Sequence, residues 1–148
     1  MGIFEEIIIE GDEILNYIPQ RFPIVMVDKF FGIEDEISCS GLLVTSENIF
    51  CKDGFFEDCG VIEHIAQSAA LRIGFTFISQ SLPVPLGFIG AVNNLIINRL
   101  PKIGEDLKTY IKIEQEVFNI TLLGAEVKIG DEIVVRCQMK VATSNPTN

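Results

Sequence analysis

An α+β fold, with an antiparallel sheet wrapped around one long central helix, is predicted by three features of the sequence. From Cys59 to Ser79 the pattern is helical, with apolar residues on most faces, as in a helix surrounded by protein. Strand-like runs flank it, two before and four after. The chain has 148 residues, 48% of them hydrophobic, enough for one domain with a substantial core. A sheet of that size must cover its apolar face, and the single long helix is the available cover.

Taken in order, Asp12 to Tyr17 has a short helical pattern that stops at Pro19. Ile18 to Pro23 reads as a turn, because Pro19 and Pro23 fix their own φ and restrict the residues before them. Ile24 to Ile33, rich in β-branched and aromatic residues, is expected to be a strand, with Glu36 to Thr45 as its hairpin partner. Asn48 to Asp58, with Gly54 inside it, is expected to be a loop leading into the helix. Ser81 to Gly87 holds two prolines and is a connection. Phe88 to Asn98, Leu107 to Phe118, Ile120 to Ile129 and Glu132 to Thr143 are the remaining strands. Turn signals separate them at Pro101 with Gly104, at Asn119, and at Gly130 with Asp131. One domain over 1–148 is expected, with a frayed tail at 144–148. A sheet closed around a buried helix is the hot-dog arrangement. Its long strands leave edges to protect, so a dimer paired edge to edge is expected.

Composition narrows the function classes. A net charge of -10 argues against nucleic acid, which needs a dense basic face, and against an anionic membrane surface. Arg99 and Lys102 fall close together and are the candidate local positive site. The acidic start lacks the basic flank and apolar run of a signal peptide. The most apolar stretch, Ile65 to Ile78, is interrupted by Gln67 and Arg72 and falls short of a membrane span. Cys39, Cys51, Cys59 and Cys137 are widely spaced, with no CxxC and one histidine in the chain, so no metal site and no cofactor are expected. Reduced, mostly buried thiols and a cytoplasmic setting follow.

Three blocks carry a resemblance. IPQRFPIVMVDKFFGIE, Ile18 to Glu34, is similar to the opening signature of the FabZ-type β-hydroxyacyl-acyl-carrier-protein dehydratases, where Pro-His-Arg-aromatic-Pro precedes apolar residues and Val-Asp. GVIEHIAQSAAL, Gly60 to Leu71, resembles the central helix of that family, with Glu63, Ala66 and Gln67 matching its core position by position. GFIGAVNNLIINRLPKIGEDL, Gly87 to Leu107, looks like the strand and turn that end in Pro-Gly-Asp-x-Leu in the family. Here the turn reads Ile103-Gly104-Glu105-Asp106-Leu107, without the proline.

The resemblance implies a hot-dog fold and removal of water from a 3-hydroxyacyl thioester, giving the trans-2-enoyl thioester. It implies Glu63 at the hydroxyl, and N–H groups at the helix start, near Gly60 and Val61, polarising the thioester carbonyl. A carboxylate in an apolar helix is costly unless it has a partner or a task. Gln67, one turn further along the same face, is placed to hold it by hydrogen bond.

The departures are equally specific. Gly54-Phe55-Phe56 stands where the family has Gly-His-Phe, so the histidine that serves as its base is missing. Gln20 stands where the opening signature has its own histidine, and the helix is preceded by a shortened Asp58-Cys59-Gly60-Val61. His64 points about 100° away from Glu63 on a helix, and is read either as a catalytic residue that reaches a partner's site in a dimer or as a surface or interface histidine. This altered pattern is similar to the dehydratase-like proteins of aryl-polyene clusters, the ApeP type.

Three readings remain open: a dehydratase with a reduced site, a partner subunit pairing with a complete dehydratase, or a hot-dog thioesterase. The substrate is expected to be an acyl thioester on acyl carrier protein or coenzyme A. Arg99 and Lys102 are the candidate carrier-docking site, and Ile65 to Phe77 the candidate lining of an acyl tunnel.

Overall fold

The computed structural model describes residues 3–144. Strands β1 (Ile9–Glu10), β2 (Lys29–Glu34), β3 (Ile37–Leu43), β4 (Cys51–Lys52) and β5 (Phe55–Phe56) precede the helix α1 (Asp58–Ser79). Strands β6 (Gly87–Ile97), β7 (Asp106–Val117), β8 (Ile120–Ile129) and β9 (Glu132–Thr143) follow it. A short 3₁₀ helix, Gly11–Asn16, lies where the early helical pattern was expected. Seven strands form one antiparallel sheet in the order β1-β2-β3-β7-β8-β9-β6, around α1, which is the hot-dog fold.

The strands after the helix follow their sequence pattern because alternation puts every second residue on the inner face. On β9 the inward set is Val135, Cys137, Met139 and Val141, and on β8 it is Leu123, Ala125 and Val127. With Val61, Ile65 and Ala69 of α1 they form the main core. A second cluster holds the N-terminal region to the helix through Ile14, Ile18, Val25, Val27, Phe30 and Leu71. Gly130, with φ near +59°, turns β8 into β9. Ser144, expected to fray, donates its N–H to Leu86 O at 2.8 Å, and 145–148 lie outside the described residues.

Two segments differ from the expectation. The loop before α1 contains the small hairpin β4–β5, turned by Asp53 and Gly54 at φ of 53° and 86°. Positive φ at both central residues is what a tight hairpin turn needs, and Asp-Gly was its sequence signal. The expected strand from Ile24 begins only at Lys29. Residues 24–26 instead run along α1 as a strap, because the helix offers the main chain of Ile24 and Met26 hydrogen bonds that a neighbouring strand would otherwise supply. Strand-like bonding begins at Asp28, whose N–H donates to Gly41 O at 3.0 Å.

The turn before that strap also lies close against the helix. A Cβ on Gly74 would stand 2.0 Å from Tyr17 O, so only glycine allows α1 to lie against the turn after the 3₁₀ helix. The opposite edge of the sheet is open. β6 pairs with β9 alone, and Phe88, Ile89, Leu95, Ile96 and Ile97 are exposed on or along it. Among the described residues, no helix is long and apolar enough to cross a membrane.

Gly74→Ala is expected to destabilise the fold by about 1–3 kcal/mol or more, since the methyl meets main chain rather than a flexible side chain. Urea unfolding of the variant against wild type measures it.

Candidate active site

The site is built from the strap and the polar face of α1. Gln67, fully buried, accepts the Met26 N–H at 2.6 Å through Oε1. Its Nε2 donates to Ile24 O at 2.9 Å and to Glu63 Oε2 at 2.8 Å. One amide therefore fixes the strap and holds the carboxylate one turn back along the helix. Glu63 itself is half-buried, and that bond is the carboxylate's only hydrogen bond among the described residues.

Glu63 lies in the wall of a cavity of about 260 Å³ between α1, the turn at 17–20, and β6 with β9. The helix contributes Ala66, Ala70 and Ile73 beside it, and the sheet contributes Phe88, Ile89 and Val141. A smaller cavity of about 170 Å³, bounded by Thr76, Phe77 and Leu123, shares Ile73 and Val141 as walls. A carboxylate at the mouth of an apolar hollow, with one oxygen tied down, can exchange a proton with a polar atom on a mostly hydrocarbon ligand. Ile65, by contrast, is fully buried core. The hollow is lined by the helix face through Ala66, Ala70 and Ile73.

Two polar cavity residues were not assigned a role from sequence, Tyr17 and Gln20. The signal for Gln20 was its place in the opening signature, where it replaces a histidine. Nothing in the sequence pointed to Tyr17, because its approach to the helix depends on the contact at Gly74.

His64 does not line the cavity that holds Glu63. It is fully buried, with Nδ1 2.6 Å from Met26 O and Nε2 2.6 Å from Thr109 Oγ1. A carbonyl only accepts, so Nδ1–H donates to Met26 O and the Thr109 hydroxyl donates to Nε2. Burial pushes its pKa down from 6.5 to about 4, so the ring is neutral near pH 7. Its place is structural: it ties the strap to the helix and the helix to β7.

The helix start is only partly as expected. The Val61 N–H is engaged by Glu57 O at 3.1 Å. The Gly60 N–H has no partner among the described residues, but the glycine is buried, with the Phe56 ring and the Phe50 Cβ where a side chain would stand. Neither residue lines the cavity that holds Glu63. Phe55, in the place of the family's histidine, is exposed on β5.

The positive site expected at Arg99 and Lys102 is neutralised. Arg99 makes two-pronged pairs with Glu105, at 2.8 and 2.9 Å, and with Glu132, at 3.0 and 3.1 Å. Two carboxylates match the two cations, and only Lys102 is left exposed to a partner.

The His64 geometry carries a pH dependence. Folding holds the ring neutral, so between about pH 6.5 and 4 the unfolded chain binds the extra proton. Stability present above pH 6.5 is then lost as pH falls through that window, by on the order of 3 kcal/mol from this group. Urea unfolding across pH 4–7 is expected to show a steeper fall for wild type than for His64→Gln, which keeps a donor and an acceptor but does not titrate.

The fold and the sequence have counterparts among known proteins. The structure is similar to a chain of the dehydratase heterocomplex ApeI:P from Xenorhabdus doucetiae, with TM-score 0.82 and 15% identity over 90% of this chain and 92% of that one. A hypothetical thioesterase from Streptococcus pneumoniae, solved with coenzyme A, aligns at TM-score 0.62 and 9% identity, over 78% of this chain and 84% of that one. In sequence, the chain is 23% identical to the 3-hydroxyacyl-[acyl-carrier-protein] dehydratase FabZ of Lactobacillus helveticus, covering 94% of this chain and 96% of that protein. The FabZ of Lactiplantibacillus plantarum is 22% identical, over 84% and 87%. The family model described as ApeP-like, ApeP dehydratase, matches residues 12–148, nearly the whole chain. This chain therefore belongs to the ApeP-like family of hot-dog dehydratases.

Proposed function

We propose that the chain works on a 3-hydroxyacyl thioester of fatty-acid or polyene assembly, with Glu63 as the carboxylate at the departing hydroxyl. The observation that carries this is the placement of Glu63, held by Gln67 at the wall of an otherwise largely apolar cavity. Loss of water breaks the C3–O bond as the C2 proton leaves, and gives the trans-2-enoyl thioester. It needs a base at C2, an acid at the hydroxyl and donors to the thioester oxygen.

This chain supplies part of that set. Glu63 and Tyr17 are the titratable residues on the cavity wall, and His64 has both ring nitrogens engaged. A self-sufficient site would require Glu63 to move both protons. A site shared with a second hot-dog subunit would bring the base from outside. The exposed apolar β6 edge favours pairing, and the similar chain in the heterocomplex favours a mixed pair over a homodimer. The thioester is carried by acyl carrier protein or coenzyme A in the cytoplasm. Docking of a carrier at the Arg99 and Lys102 corner would rest on Lys102, because Arg99 is paired twice.

Hydration of a trans-2-enoyl thioester, followed by loss of enoyl absorbance, tests the reading. The chain is assayed alone and together with a complete hot-dog dehydratase subunit. Activity in either preparation is expected to fall on the order of a hundred- to ten-thousand-fold in Glu63→Gln. Turnover that is indifferent to this substitution removes Glu63 from the site. Release of free thiol in place of hydration identifies a thioesterase.

A further inference from the structure

We infer that Ile73 is the stop that sets the length of acyl chain this protein accepts, dividing the Glu63 cavity from a second hollow behind it. The inference rests on the proposed reading of the Glu63 cavity as the acyl-thioester site.

One face of α1 carries Glu63, Ala66, Ala70, Ile73 and Phe77, at the three- and four-residue spacing that stacks side chains along a helix. The first four line the cavity of about 260 Å³. After the carboxylate, two alanines leave a trough, because a methyl group reaches only a short way from the helix. Isoleucine ends it. The second hollow, of about 170 Å³, has Ile73 and Phe77 on its helix side and Ile113 and Leu123 on its sheet side. Ile73 and Val141 are the walls that the two hollows have in common.

The stop is held in place. Ile73 is half-buried and packs against the main core, so its position is fixed while it still borders both hollows. Val141 belongs to the same core. Gly74, the next residue, is the point where the helix lies against Tyr17, so α1 has no room to shift toward the turn there.

An acyl chain with its 3-hydroxyl at Glu63 lays its tail along the alanine trough. From Glu63 to Ile73 the helix rises about 15 Å. Each methylene buried along that path strengthens binding about four-fold, until the tail meets Ile73. The far hollow offers a hydrocarbon tail less, because Arg72, Thr76, Glu116 and Thr121 bring polar groups to its walls. Chain length is thus read where the apolar trough ends.

The test is isothermal titration calorimetry of the full chain with 3-hydroxyacyl-pantetheine thioesters, from hexanoyl to tetradecanoyl. Affinity is expected to rise with each added pair of carbons and then level off. Ile73→Ala joins the hollows and is expected to move the levelling length up by at least one pair of carbons. Ile73→Phe fills the trough and is expected to move it down. The two variants report independently, so a melting transition lost in one leaves the other to decide. Thr121→Leu, which adds bulk only in the far hollow, is expected to leave the wild-type length unchanged and to shorten it again in the Ile73→Ala background.

A levelling length that stays put in a folded Ile73 variant overturns the role of Ile73 and leaves the proposed function standing. So does a shorter length in Thr121→Leu alone, because the tail would then already pass Ile73. Affinity that rises without levelling has the same meaning. Wild type that binds none of the thioesters, or all of them equally, overturns the reading of the cavity itself.

Discussion

The hydrogen bonds from the Gln67 amide and the His64 ring to the main chain of residues 24–26 are the interaction on which the rest of the architecture depends. The two at Met26 lie inside the fold, where an unpaired N–H or C=O costs about 1–3 kcal/mol. Gln67 satisfies the Met26 N–H and the Ile24 carbonyl, and His64 satisfies the Met26 carbonyl. A strap of chain can thus lie on the helix without strand partners. Thr109 closes the set from β7, so strap, helix and sheet are joined through one imidazole.

Stability and site are coupled through a single side chain. The same Gln67 Nε2 that bonds the strap also bonds Glu63. Changes in the strap therefore reach the carboxylate directly. His64 shows the opposite economy: next to Glu63 in sequence and the chain's one histidine, it is neutral and engaged on both nitrogens. Adjacency on a helix puts two residues on different faces. Here one face looks into the core and the other into the cavity.

Arg99 is arranged for pairing rather than for display. With a net charge of -10, the chain has few cations, and Arg99 is tied to two glutamates. Arg72, half-buried, donates to the Glu36 carbonyl, which lies in the two-residue turn between β2 and β3 where Asp35 and Glu36 both take positive φ. The β6 edge beside the cavity is open and carries exposed apolar residues, and an unpaired strand is a template for another chain. Glu63 and that edge border the same hollow, so a second subunit added there would stand next to the carboxylate.

The sequence by itself determined the helix, the four strands after it and the hot-dog class, because these rest on local periodicity and on turn residues such as Gly130. It also determined the pair Glu63 and Gln67, since four residues is one helical turn. The tertiary structure alone decided the fate of Ile24 to Asp28. A β-branched, apolar run has no local feature that distinguishes a strand partner from a helix amide as the recipient of its hydrogen bonds. It alone decided that Arg99 is neutralised, because Glu132 lies 33 residues away and meets it only once β9 is in place. It alone placed Tyr17 and Gln20 beside Glu63. That meeting depends on how closely the helix lies to the turn, and Gly74 sets the distance through a contact 57 residues apart in the chain.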